Sequence, residues 1–500
     1  MTDPKGTLGV VGAGTMGAGI AQVALEAGWR VRLHDALPGA AERGRERIAD
    51  GLRRRAARRG LAFDAERAWV QACLSRLAAA PDPAAVAAGA DLVIEAIVED
   101  LEAKRTLFSA LDAAAGPETI LATNTSALSV SAIAAAAAHH PGRVTGLHFF
   151  NPAPVLLLVE VVAAEQTDPD FLDRAAGIVG AWGKTPVRSA DSPGFIVNRV
   201  NRPFTIEPLR MVETGEARAG VIDAAVRADG FPMGPFELMD LVGLDVNVAA
   251  ATGVWEGLGR PERLRPSPIQ AWLVAHRRLG RKSGVGFHRY HDGHDPVPEP
   301  LPNDVARPAR EGHTLAPAEI VRRIRAGIAT EAVLARDEGV ASEADIDTAL
   351  WLGAAHPEGP FELMDLVGLD VNLAAATGVW EGLGRPERLR PSPIQAWLVE
   401  HQRLGRKAGV GFYRYHDGRD PALEPLPHEV ARPVRVGHAL APEAIVRRIR
   451  TAIAAEAVLA RDAGVASEAD IDTALWLGAA HPEGPFAWLR RHHRAAGAPP

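Results

Sequence analysis

Over the first 190 positions, short apolar runs alternate with longer stretches of helical periodicity. Leu8 to Val11 reads as a strand, AGIAQVALEAG as an Ala-rich helix, and Trp29 to His34 as a second strand. Further strands are predicted at Asp91 to Ala96, at ILATNT, at GLHFF and at VLLLVEVV. A long arginine-rich helical stretch is predicted from Pro38 to Ala80. This alternation predicts an α/β fold with a parallel, doubly wound sheet. After Ser192-Pro193-Gly194 the period becomes helical throughout. A long helix is expected from about Phe195, with a break near Pro203. FPMGPFELMDLVGLDV reads as a turn and an apolar helix whose acids are surface or cap groups.

The helical part repeats. Gly234 to Glu358 recurs as Gly359 to Glu483, offset by 125 residues with about 19 mismatches, and a third GPF starts at Gly484. The period is domain-sized, so this is no solenoid. The joint falls inside a domain pattern. The expected organisation is therefore an α/β domain over 1–190, a first helical domain over 191–292, a duplicated copy over 318–416, and a truncated third copy over 443–491. Proline-rich linkers run near His294 to Pro317 and Arg419 to Pro442.

The first apolar strand leads into GAGTMG, residues Gly12, Ala13, Gly14, Thr15, Met16 and Gly17. Strand before and helix after make this a Rossmann-type dinucleotide loop, with the pyrophosphate on the helix N-terminus. Asp35 ends the second strand, 18 residues past Gly17. Its carboxylate would accept from both ribose hydroxyls and repel a 2′-phosphate, which predicts NAD over NADP. Glu99 and Lys104 follow the next strand, at the end where ligands bind in such sheets. Asn124 and Ser126 follow another; they can reach a substrate oxygen or the nicotinamide, or cap the following helix.

GLHFFNPAPVLLLVEV places His148 at a strand end and Glu160 deep in an apolar strand. Burying an acid is costly unless something pairs with it. A histidine is the natural partner, either as a satisfied core residue or as a catalytic base. The run Arg53, Arg54, Arg55, Arg58 and Arg59 is either a solvated helix face or a dock for an anionic ligand tail. The net charge of −7 argues against general nucleic-acid binding. No leader or membrane-spanning run is read in the sequence. The single cysteine, Cys73, fits a reducing compartment and a cytoplasmic protein. Cys and His show no metal-ligand spacing.

Together these motifs resemble the NAD-dependent L-3-hydroxyacyl-CoA dehydrogenases. The likeness rests on GAGTMGAGIAQ, EAIVEDLEAK, TNTSALS, HFFNPAP with VEVV, SPGFIVNR, PMGPFELMDLVGLD and GRKSGVGF, in that order. It is nearest to the bacterial subgroup of about this length, whose members act on 3-hydroxybutyryl-CoA or 3-hydroxyadipyl-CoA. The resemblance implies that His148 is the general base with Glu160 as partner, and that Ser126 and Asn198 hydrogen-bond the substrate oxygen. It places Asp35, Glu99, Lys104 and Asn151 at the NAD site, with Lys282 contributing from the helical domain. In the arginine-rich helix, Gly51 and Arg58 stand where the family has a serine and a lysine against coenzyme A. Arg58 keeps the charge for phosphate. The implied substrate is an acyl-CoA. Other readings are a hydroxy-acid dehydrogenase without coenzyme A, or a non-catalytic NAD-binding protein. GAGTMG, His148, Glu160 and SPGFIVNR each occur once, so one active site per chain is expected. The extra helical copies are then packing or assembly modules. In simpler members two helical domains from different chains pair, so homo-oligomers through these domains, or the same contact within one chain, are implied.

Overall fold

The structure is a computed structural model. It describes residues 5–291, 296–303, 306–307, 315–386, 389–416 and 421–427. The third copy expected over 443–491 lies outside the described residues, as does most of the second linker.

Eight strands form one sheet: β1 (Thr7–Val11), β2 (Arg30–His34), β3 (Leu77–Ala79), β4 (Leu92–Glu95), β5 (Ile120–Thr123), β6 (Val144–Phe149), β7 (Leu158–Ala163) and β8 (Thr185–Ala190). Their spatial order is β3-β2-β1-β4-β5-β6-β7-β8. Neighbours are parallel except β6 and β7, which pair antiparallel. Helices α1 (Thr15–Glu26), α2 (Ala40–Arg58), α3 (Phe63–Leu74), α4 (Pro83–Ala87), α5 (Leu101–Ala114), α6 (Val130–Ala134) and α7 (Pro169–Ala181) connect them. β4, β5 and β6 are buried along their whole length. Helices cover both faces of such a sheet, so its strands read as continuous apolar runs. Strand order reverses between β1 and β4, and a crevice opens beyond their carboxyl ends.

The expected helical stretch from Pro38 to Ala80 is in fact two helices and a strand. Gly60, at φ 66°, ends α2. The Leu61 N–H reaches back to the Ala56 carbonyl at 3.2 Å, and the Gly60 N–H to Ala57 at 3.0 Å. A left-handed glycine closing the last carbonyls in this way stops a helix. β3 then joins the edge of the sheet with only three residues.

The first helical domain contains α8 (Val197–Val200), α9 (Pro203–Glu213), α10 (Ala219–Ala228), α11 (Pro235–Val242), α12 (Leu244–Gly257) and α13 (Pro268–Ala275). The second contains α14 (Pro317–Asp337), α15 (Glu343–Ala354), α16 (Pro360–Val367), α17 (Leu369–Gly382) and α18 (Pro393–Glu400). One acid of FPMGPFELMDLVGLDV does cap its helix: Glu237 accepts from the Gly234 N–H at 3.0 Å. Asp240 corrects the surface-or-cap expectation, being fully buried. It accepts from the Phe287 and His288 amides and the Tyr290 hydroxyl, all at 2.9 Å. A Cβ on Gly286 would lie 1.9 Å from Asp240 Oδ1, which explains the last glycine of GRKSGVGF. Asp365 repeats the arrangement with Phe412, Tyr413 and Tyr415.

The two helical domains pack on each other through α9, α10 and α14. Their ion pairs are reciprocal. Arg199 Nε meets Glu331 at 2.8 Å, and Arg323 Nε meets Glu207 at 2.8 Å. Arg323 and Glu331 stand in the second domain where Arg199 and Glu207 stand in the first. The exchange therefore follows an approximate twofold axis, as an isologous contact does. α15 extends past the first helical domain to the sheet, where the Ala190 N–H donates to the Val340 carbonyl at 2.8 Å.

Candidate active site

Each glycine of GAGTMG has its own reason. Gly12 takes φ 103°, and a Cβ there would lie 2.4 Å from the Ala96 carbonyl oxygen. A Cβ on Gly17 would strike the Gly12 carbonyl at 1.8 Å. Around Gly14, however, a Cβ would meet nothing within 4 Å. Packing does not require glycine at that position, but a dinucleotide pressed against the backbone before α1 does. Asp35 accepts from the Ala13 N–H at 2.8 Å and the Leu37 N–H at 2.9 Å, which fixes its carboxylate beside this loop. The loop, the helix N-terminus and the acid fit NAD.

His148 and Glu160 are direct partners in the β6–β7 register, so both side chains leave the same face of the sheet. His148 Nδ1 lies 2.5 Å from Glu160 Oε2. A carboxylate only accepts, so Nδ1 carries the proton and Nε2 keeps its lone pair. The second oxygen, Oε1, accepts from the Ile196 and Val197 amides at 3.0 and 2.8 Å. The preceding residue, Phe195, is non-glycine at φ 47°. This strained conformation stands at the turn that presents those amides. The imidazole sits between Phe150 and Phe195, with ring centroids 4.5 and 5.8 Å away.

Glu99 and Lys104 are joined by an acid that the sequence reading did not single out. Lys104, 1% exposed, lies 2.5 Å from Glu95 and 3.3 Å from Glu99. Glu95 also accepts from the Ile97 N–H and the Thr123 hydroxyl, both at 2.7 Å. Burial pushes the Glu99 carboxyl up. The Lys104 charge and hydrogen bonds from Thr125 and Ser126 outweigh this and hold it below the ordinary carboxylate range. Asn124 accepts from the Phe149 N–H at 2.9 Å, and Asn198 Nδ2 donates to the Ser126 carbonyl at 3.3 Å. Glu95 was legible by the signal that exposed Glu160, an acid inside an apolar strand.

A cleft of about 620 Å³ joins these groups. Met16, Glu99, Lys104, Asn124, Ser126, His148, Asn151 and Asn198 line it. So do Asn201 and Arg202, and Gly353 to Ala355 from the second helical domain, none of which the sequence singled out. Gly353 packs closely here, since a Cβ there would lie 2.5 Å from the Leu158 side chain. Lys282 is outside the lining. It pairs with Asp245 on the surface, and the second domain repeats the pair as Lys407 and Asp370. Arg58 lines a separate basic pocket of about 360 Å³ with Arg47, Arg54, Arg55 and the Asn151–Val155 loop. Gly51 borders it, and a side chain there would strike Gln22 at 2.0 Å. Lys184 secures that loop by donating to the Ala153 carbonyl at 2.5 Å and Leu156 at 2.8 Å. Burial pushes Lys184 down to about 8. No cluster of metal-ligating side chains occurs among the described residues.

A nucleotide loop facing a histidine–carboxylate pair defines an oxidoreductase of the dinucleotide-dependent class. Similarity to known proteins narrows the class. The 3-hydroxyacyl-CoA dehydrogenase NAD-binding domain profile matches residues 7–192, and the C-terminal domain profile matches twice, at 194–290 and 320–415. The chain is 37% identical to the 3-hydroxyadipyl-CoA dehydrogenase of Escherichia coli K12, over 96% of this chain and 90% of that protein. It is 42% identical to the human mitochondrial hydroxyacyl-coenzyme A dehydrogenase, over 56% of this chain and 90% of that protein. The crystal structure of the Escherichia coli K12 3-hydroxybutyryl-CoA dehydrogenase superposes with a TM-score of 0.71 at 34% identity, covering 80% of this chain and 99% of that one. The chain belongs to the 3-hydroxyacyl-CoA dehydrogenase family and is an NAD-dependent oxidoreductase.

Proposed function

We propose that the chain oxidises the C3 hydroxyl of short-chain or dicarboxylic (S)-3-hydroxyacyl-CoA to the 3-oxo thioester, reversibly. The observation that carries this reading is the His148–Glu160 pair opening into the cleft. Bound NAD supplies the hydride acceptor, held by the Gly12–Gly17 loop with Asp35, Glu99, Lys104, Asn124 and Asn151. His148 Nε2 takes the hydroxyl proton as the hydride leaves, and Glu160 stabilises the imidazolium that forms. Ser126 and Asn198 steady the substrate oxygen as charge develops on it. In reverse the imidazolium returns the proton. Arg58, with Arg47 and Arg54, holds the coenzyme A phosphates. Lys282 takes no part, because the copy away from the sheet domain keeps the same surface pair. A role in cytoplasmic fatty-acid β-oxidation suits a chain whose one cysteine is a buried free thiol. No single helix among the described residues is long and apolar enough to cross a membrane.

The test is NADH oxidation with acetoacetyl-CoA against free acetoacetate. Turnover of the thioester alone supports the reading. Equal turnover of free acetoacetate turns it into a hydroxy-acid dehydrogenase without coenzyme A. Cofactor binding with no turnover makes the chain a non-catalytic homologue.

A further inference from the structure

Arg202 is the least expected residue of the cleft. It is 6% exposed and lines the same wall as Asn198, one helical turn further on. Its Nε and Nη2 donate to the Asn198 carbonyl at 3.2 and 3.1 Å. No carboxylate pairs with it among the described residues, and Nη1 has no protein partner there. Burial, with no acid to offset it, pushes its guanidinium down to about 10. Leaving a buried charge unpaired costs several kcal/mol, so a counter-charge in this cleft would be strongly favoured.

Two amides lining the same cleft add donors. His356, from the second helical domain, lies with Nε2 2.7 Å from Asn201 Oδ1. Burial and then the Arg325 charge push this histidine down to about 3, so the ring is neutral and donates to that oxygen. The Asn201 NH2 group is left unused. Asn247 is turned alike: its Oδ1 accepts from Gln270 at 2.6 Å. A guanidinium and two amides with unused NH2 groups thus line the same cleft. The counterpart of Arg202 in the second domain is Ala326, inside an unbroken helix. This helix position therefore forms without an arginine.

We infer that the Arg202 end of the cleft is an anion receptor for the terminal carboxylate of a dicarboxylic 3-hydroxyacyl-CoA. This rests on the proposed reading of the cleft as the 3-hydroxyacyl site. One helical turn is about 5.4 Å, roughly the reach from a C3 oxygen across two methylenes to a terminal carboxylate oxygen, so a C3 oxygen on Asn198 would place such a carboxylate near Arg202. Planar guanidinium matches carboxylate with two parallel hydrogen bonds, and a site built for such bonds rejects a ligand that lacks the group.

The test compares kcat/KM of the full chain for 3-hydroxyadipyl-CoA and 3-hydroxyhexanoyl-CoA, which differ only in a carboxylate or methyl end. The native chain should favour the dicarboxylic substrate by at least about 10-fold, and Arg202→Gln should bring the two substrates to within about 3-fold of each other. Arg202→Lys, which keeps a charge, should retain part of the preference. An equal fall on both substrates would make Arg202 a support for the Asn198 carbonyl and overturn the inference. So would a native preference for the methyl end, a measurement that needs no variant. Turnover of 3-hydroxybutyryl-CoA without a dicarboxylic preference overturns this inference alone; loss of all thioester turnover overturns the proposed function beneath it.

Discussion

The two helical domains share nearly every residue of their trailing halves but face different neighbours. Both hold their closing turn with a buried aspartate, Asp240 or Asp365. Both orient an asparagine with a glutamine, Asn247 with Gln270 and Asn372 with Gln395. They diverge in their leading halves. Asn198, Asn201, Arg202 and Thr205 of the first become Arg322, Arg325, Ala326 and Ala329 of the second. Each set lines a cavity, of about 620 and 590 Å³. Only the first lies against the sheet that carries His148. In the second, Arg325 pairs with Asp229 at 2.7 Å and the walls are otherwise mainly apolar. The helical scaffold makes a cavity in either setting, and the facing α/β domain brings His148 into only one of them. The second domain still contributes by buttressing the first through the reciprocal ion pairs and by closing the cleft with Gly353 to Ala355.

The largest effects should separate the two cavities by chemistry. His148→Gln should lower kcat by at least about 10²-fold while NADH affinity, read by fluorescence, changes little. Asn198→Ala should lower kcat/KM by about 10-fold or more. Its counterpart Arg322→Ala should leave steady-state turnover within about 2-fold, since no reacting group faces that position. Comparable losses from Asn198→Ala and Arg322→Ala would put chemistry in both cavities.

The domain interface comes next. Arg323→Met strips a buried charge partner from Glu207 and should lower the unfolding free energy by about 3 kcal/mol in a denaturant titration. Adding Glu207→Leu should recover part of that loss, because replacing a buried pair with apolar groups is far milder than breaking it. A neutral single variant would show that this pair does not hold the domains together.

A smaller effect should follow pH. His356 occupies the position of Phe231 in the first domain, and its ring is held down at about 3 against an ordinary value of 6.5. The unfolded chain therefore takes up a proton between these values and the folded chain does not. Stability from this residue is complete above about pH 6.5 and is lost as pH falls towards 3, by at most about 1.4 kcal/mol per pH unit. His356→Phe should reduce that slope in melts across pH 4 to 7; an unaltered slope would place the titration elsewhere. The smallest effects belong to the surface pairs. Lys282→Ala and Lys407→Ala should leave both the melting midpoint and the KM for NAD unaltered. A raised KM in the Lys282 variant alone would return that residue to the cofactor site.

Much of the α/β domain was legible because its signals are local. A glycine loop between strand and helix, an aspartate ending the next strand, and an acid inside LLLVEVV each show themselves within a few residues. Tertiary structure decided what depends on distant segments. The break in the Pro38–Ala80 stretch needed Gly60 to take a left-handed turn, and β3 needed an edge on which to pair. Asp240 looked like a surface acid because its donors come from a turn more than forty residues later. Nothing local in the sequence sets Arg202 apart from the other arginines. Only the packing of two helical domains buried it in the cleft, beside an amide oriented by a histidine 155 positions away. Sequence alone pointed to the sheet domain, its nucleotide loop, the histidine–carboxylate pair and the 125-residue repeat. Which of the two similar cavities holds the site, and what lines its far end, depended on long-range burial, because a side chain's solvation and partners are set by the elements packed against it.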